Sequence, residues 1–214
     1  MSAARSYVGA VTDTVRLVGA KGSDQRDRVL AAAIDAIAER GPDRVTVRDI
    51  ASRAGISPSH VLYYFGRRDR ILIETLRWSE EELTTRRRAE LGRLRSPWRG
   101  VRRFIELYLP VDAVDTRWNL WNQVIARPPT DPDTLALVAA LEQVWVDDLA
   151  RLVAAGVDDG SFTSVEPAPF ALQARLLMDG VASDIVLGLP ERSAKWGVGL
   201  VTRTFAAQLG VHRI

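Results

Sequence analysis

From residue 23 onward the apolar residues of this chain recur at three- and four-residue steps, and no stretch alternates apolar with polar residues between hairpin turns. A helix carries one buried face at that period and a strand does not, so the pattern predicts an all-α fold. The 214 residues, 47% of them hydrophobic, are enough to bury a core.

The first helix is expected over "DQRDRVLAAAIDAIAER", with Val29, Leu30, Ala33, Ile34 and Ile37 on its inner face and a stop at Gly41 and Pro42. In "VTVRDIASRAG", Thr46 and Asp49 have the spacing of a capping box, and Ile50, Ala51 and Ala54 turn inward. Gly55 suits a left-handed turn, after which Ser57 caps a third helix with Pro58 in its first position. Short helix, glycine turn and short helix make a helix-turn-helix. Further helices are expected at about 69 to 95, 98 to 110, 115 to 127, 132 to 155, 167 to 187 and 191 to 209, with "GVDDGSFTSVEP" as a loop.

Three domains are expected: a flexible basic tail over 1–23 carrying Arg5, Arg16 and Lys21, a helix-turn-helix unit over 24–72, and a larger helical domain over 73–214. The front is the basic part, with 12 basic and 8 acidic residues through residue 72 against 17 and 19 in the remainder. Having no cysteine, the chain has no disulfide, thiolate metal site or cysteine nucleophile, which fits a cytoplasmic protein. His60 and His212 are too few for a histidine-rich metal site. No apolar run approaches the ~20 residues that cross a bilayer, so no membrane partner is expected.

The third helix, in "GISPSHVLYYFGRRD", is expected to turn Val61, Leu62 and Phe65 inward and leave Ser59, His60, Tyr63 and Tyr64 outside. Hydroxyls and an imidazole bond phosphates or base edges, and tyrosine rings touch thymine methyls or sugars, so this face suits a DNA groove. Arg67 and Arg68 follow it.

In "RVLAAAIDAIAERG", "VTVRDIASRAGIS" and "LYYFGRRDRIL" the chain resembles the TetR family of bacterial transcriptional regulators, from Asp24 to about Leu72. The resemblance implies that Thr46, Arg48, Ser57, Pro58, Ser59, His60, Tyr63, Tyr64 and Arg68 face double-stranded operator DNA. Three positions depart from the family's pattern. His60 replaces a small or hydroxyl residue, Leu62 a phosphate-contacting tyrosine, and Gly66 a proline or polar residue, which is expected to loosen the junction into the fourth helix.

The last two helices, "PAPFALQARLLMDGVASDIVLG" and "ERSAKWGVGLVTRTFAAQLG", are apolar around much of their circumference. Their small residues Ala174, Gly180, Ala182, Gly197 and Gly199 permit close contact between subunits, and the resemblance implies a homodimer there. The middle helices hold an aromatic group. Phe104, Tyr108, Trp118, Trp121, Asn122, Trp145 and Met178 are candidates to line a small-molecule site, although core packing is the simpler account of any one tryptophan. "RWNLW", "GVDDGSF" and "LLMDGVASDIVLG" are similar to the C-terminal domain of the BetI-like branch of TetR regulators, which implies a sensor without naming its effector. Asp179 is expected to pair with Arg175.

Catalysis is not expected. Asp147 with Asp148 and Asp158 with Asp159 are adjacent carboxylates, read as solvent-facing, and no phosphate-cradling glycine loop or cofactor motif appears. The expected protein is a ligand-released, dimeric repressor. The alternative keeps DNA binding and gives the larger domain only dimerisation or protein contact.

Overall fold

The computed structural model describes residues 23–126 and 132–212, so the expected tail lies, apart from Ser23, outside the described residues. Among the described residues there are helices and no strands: α1 Ser23–Arg40, α2 Val47–Ala54, α3 Pro58–Phe65, α4 Arg68–Leu91, α5 Pro97–Tyr108, α6 Thr116–Ile125, α7 Pro132–Asp158, α8 Pro167–Val186 and α9 Ala194–Gln208. Five of these start on side-chain caps, because the first amides of a helix have no partner inside it. Thr46, Ser57, Ser96, Asp115 and Ser193 each accept from the amide three residues on.

Two compact units form, one from residues up to Glu82 with Val114–Leu135, the other from Leu83–Ala113 with Ala136 onward. In the first, α1 packs on α2 and α6, and α2 packs on α3. Val29, Leu30, Ala33, Ile34 and Ile37 of α1 meet the buried Ile50, Ala51, Val61 and Phe65 in its core. The segment 24–72 lies wholly in this unit. α4 contributes Ile71, Leu72 and Leu76 and, unusually, the buried carboxylate of Glu74. An unpaired buried charge is costly. Glu74 avoids that by accepting Arg26 of α1 at 3.1 Å and Arg70 and Arg77 of its own helix at 2.7 and 3.0 Å.

In the second unit α9 packs on α8 and α5. The small residues expected to serve contact between subunits are in part spent inside the chain. Ala174 and Ala182 are buried, and a Cβ on Gly197 would come within 2.8 Å of both Ile185 and Val181. Gly180, by contrast, faces outward with nothing within 4 Å of the place a Cβ would take. α7 runs to Asp158, three residues past its expected end. The glycine that suggested a stop, Gly156, stays helical, and the buried Phe162 ring folds back over the place its side chain would take. Thr163 then ties this loop to the end of α9, its amide donating to the Leu209 carbonyl at 3.0 Å and its hydroxyl to that of Gln208 at 3.2 Å.

Candidate functional site

The turn between α2 and α3 is built from local chemistry. Thr46 donates its hydroxyl and its amide to Asp49 Oδ2, at 2.7 and 2.9 Å, and accepts from the Asp49 amide at 3.2 Å. Those bonds, the hydroxyl's first, hold the Asp49 carboxyl below the usual carboxylate range. Gly55 ends α2 at φ 69°, a left-handed conformation that a side chain would disfavour. Ser57 then caps α3 by accepting from the His60 amide at 3.2 Å, and its hydroxyl lies 2.9 Å from that of Ser59.

α3 is anchored by Val61 and Phe65, one turn apart and both buried. Leu62 does not join them, contrary to the inward position expected of it, and is 40% exposed. It sits 100° around the helix from Val61, at the flank of the buried stripe. His60, Tyr63 and Tyr64 form an outer aromatic cluster. His60 stacks on Tyr64 with centroids 5.1 Å apart and planes at 18°, and Tyr63 meets Tyr64 edge-on at 5.6 Å. Tyr63 is 82% exposed, so no apolar burial within the chain accounts for its position. Arg48, Pro58 and Ser59 are exposed alongside.

Arg68 is placed differently from the outward position expected of it. Its Nε donates to the Val45 carbonyl at 2.8 Å, and its Nη2 to the carbonyls of Pro42 and Asp43, so the guanidinium clasps the α1–α2 loop to the start of α4. Gly66 does not loosen this junction. It caps α3 at φ 75°, and its amide donates to the Leu62 carbonyl at 2.7 Å.

The candidate effector residues divide between the units. Trp118, Trp121 and Asn122 belong to α6 in the first unit; Trp118 is buried, with Arg117 over its ring at 5.1 Å, and the other two are half-buried. Phe104, Tyr108 and Trp145 come together in the second unit, where Met178 is also buried. Tyr108 donates its hydroxyl to Asp179, which accepts Arg175 at 2.8 Å as expected.

The most consequential departure from expectation is Asp148, which does not face solvent. Its neighbour Asp147 is exposed, but Asp148 is buried and accepts Arg87, Arg88 and Arg151. Leu141, Trp145 and Leu149 are its buried neighbours at helical spacing on α7, and that register was the available signal.

Residues 29–75 match the family described as bacterial regulatory proteins, tetR family, and residues 97–210 match the C-terminal domain of BetI-type transcriptional repressors. The second match alone spans more than half of the chain. The chain belongs to the TetR family, with a BetI-type C-terminal domain.

The HTH-type transcriptional regulator BetI of Brucella anthropi is 38% identical over 73 residues, which are 34% of this chain and 38% of that protein. Its counterpart in Brucella canis is 41% identical over 59 residues, 28% of this chain and 30% of that protein. The alignments thus span well under half the length of these curated relatives. Among solved structures, a transcriptional regulator from Saccharomonospora viridis in complex with choline is 27% identical with a TM-score of 0.76, covering 86% of this chain and 96% of its own. A TetR-family regulator from Rhodococcus sp., 22% identical with a TM-score of 0.71, covers 87% and 99% and shares the fold. No helix among the described residues is long and apolar enough to cross a membrane.

Proposed function

We propose that this TetR-family regulator is a cytoplasmic repressor that binds a palindromic operator in double-stranded DNA as a homodimer and leaves it when its C-terminal unit takes up a small molecule. Arg48, Pro58, Ser59, His60, Tyr63 and Tyr64 face the DNA, while Thr46, Ser57 and Arg68 hold α2, α3 and the loop before them in position. The observation that carries this reading is the outer face of α3, where an 82% exposed Tyr63 and its aromatic neighbours stand on a helix anchored from behind by Val61 and Phe65. A single copy would read few base pairs, and two copies related by a two-fold axis enter successive major grooves.

Pairing through α8 and α9 is supported by leucines left outside. Leu172, Leu176 and Leu187 are 49, 57 and 72% exposed, and Gly180 continues the same four-residue step from Leu172 and Leu176 with open space above it. The effector reading rests on Phe104, Tyr108, Trp145 and Met178, a mostly apolar group in the second unit with few polar anchors.

The test is binding to DNA from the region upstream of the regulator's own coding sequence, followed by fluorescence anisotropy across a salt series. Tyr63→Ala removes one base contact from each of the two subunits and is expected to weaken binding by ~2–6 kcal/mol, at least roughly 30-fold, with melting temperature and dimerisation unchanged. Equal affinity for the two proteins would sink the assignment of α3.

A further inference from the structure

The aromatic group of the second unit already contains a cation. The Arg87 guanidinium carbon lies 3.6 Å from the Trp145 ring centroid and 6.0 Å from that of Phe104. Trp145 stands nearly perpendicular to both neighbouring rings, at 80° to Phe104 and 81° to Tyr108, with centroids 5.4 and 4.9 Å away. Arg87 Nε donates to Asp148 Oδ2 at 2.9 Å and Nη2 donates to the same oxygen. The arginine is fully buried. Aromatic faces and one carboxylate around a desolvated positive charge are what a protein offers a quaternary ammonium, whose methyl groups spread the charge over ring faces.

We infer that Arg87 determines ligand specificity by occupying the cation position itself: the regulator rejects quaternary ammonium compounds, and shortening Arg87 converts the vacated position into a site that binds them. This rests on the reading of the aromatic group as the effector site. An incoming alkylammonium would have to displace a guanidinium that is covalently held, paired with Asp148 and stacked on Trp145, and would leave that charge without a comparable position in an apolar interior. Tetramethylammonium brings no hydrogen-bond donor to replace those on Asp148, and choline brings a single hydroxyl.

The same geometry makes the vacancy survivable. Asp148 also accepts Arg88 Nε at 2.9 Å and an Arg151 donor, so its carboxylate keeps partners when Arg87 is cut back. Tyr108 is held separately through Asp179. Arg87→Ala would therefore leave Trp145, Phe104 and Asp148 around a space that once held a guanidinium. Arg87→Met would refill that space with an apolar chain.

The experiment uses the full chain as wild type, Arg87→Ala and Arg87→Met. Each is titrated with choline, with tetramethylammonium and with the neutral isostere 3,3-dimethylbutan-1-ol, with sodium chloride matching ionic strength. Calorimetry, tryptophan fluorescence and melting temperature are the readouts. Arg87→Ala is expected to bind both cations saturably, with about a tenfold preference for choline over the isostere, and to melt higher in their presence. Wild type and Arg87→Met are expected to do neither. If Arg87→Ala is loosened at rest, its rescue by tetramethylammonium and not by the isostere reads the same slot. Saturable binding of choline by the wild type, or a folded Arg87→Ala with no preference for cations and no rescue, overturns the inference. Cation binding by Arg87→Ala that does not release DNA upholds the slot and counts only against the effector-site reading.

Discussion

Replacing Arg68 with methionine keeps the aliphatic stem and removes the donors that hold the α1–α2 loop. Of the three carbonyls they reach, those of Pro42 and Asp43 belong to half-buried or exposed residues and can turn to water, but Val45 is 1% exposed and its carbonyl would lose the 2.8 Å bond from Arg68 Nε. An orphaned buried acceptor costs about 1–3 kcal/mol, and the two loop bonds, partly replaced by solvent, add less than their nominal worth. A loss of about 2 kcal/mol is expected, which in a chain of this size lowers the melting temperature by about 4–8 °C. The operator-binding readout separates this from a phosphate contact. An arginine on a phosphate contributes about 0.9 to the slope of log affinity against log salt, and its removal flattens that slope by as much. For Arg68→Met the melting temperature should fall while the salt slope, measured well below the transition, stays at the wild-type value. Because the homodimer carries two copies, an unchanged melting temperature with a slope reduced by about 1.8 would refute the clasp and return Arg68 to the DNA-facing set.

Two other substitutions probe the framework. Gly156→Ala drives a methyl group against the Phe162 ring, within 2.8 Å of Cγ and closer still to Cδ2 and Cε2, so the ring must leave its buried position. Losing much of the ~1.5–3 kcal/mol of that burial should outweigh the ~1 kcal/mol that alanine contributes within a helix, and urea unfolding should show a lower midpoint. Burial raises the Asp35 carboxyl above its ordinary pKa, and Arg53 offsets this only in part. With the folded pKa above the unfolded one, its stability contribution is complete below the unfolded value and is lost as pH rises through the folded value. Asp35→Asn is thus expected to melt above wild type at pH 7, with the gap closing in acid; a gap constant with pH would exclude desolvation as its cause.

The elements were legible because each depends on neighbours within a turn or two. The three-residue step from Thr46 to Asp49, Gly55, and Ser57 followed by Pro58 name the helix-turn-helix ends without any distant contact, and all have the caps and conformations that spacing implies. Leu62 was misplaced for the complementary reason: periodicity ranks residues around a helix, but whether the flank of a stripe is covered depends on what packs against it. Arg68 and Gly197 went the same way, since a guanidinium looks like a phosphate ligand, and a helical glycine like a subunit contact, until the Val45 carbonyl or Ile185 is found opposite. Asp148 is the deepest case. Its register with Trp145 and Leu149 marked it for burial, yet an isolated carboxylate on an apolar stripe is unfavourable, so local chemistry alone argued against that register. The partner that makes it tolerable, Arg87, lies 61 residues earlier and is itself poor core material until Asp148 and Trp145 are placed beside it. Neither residue predicts the other's position alone. Only the pair does, and the same mutual dependence makes Arg87 the residue through which the aromatic group's choice of ligand can be changed.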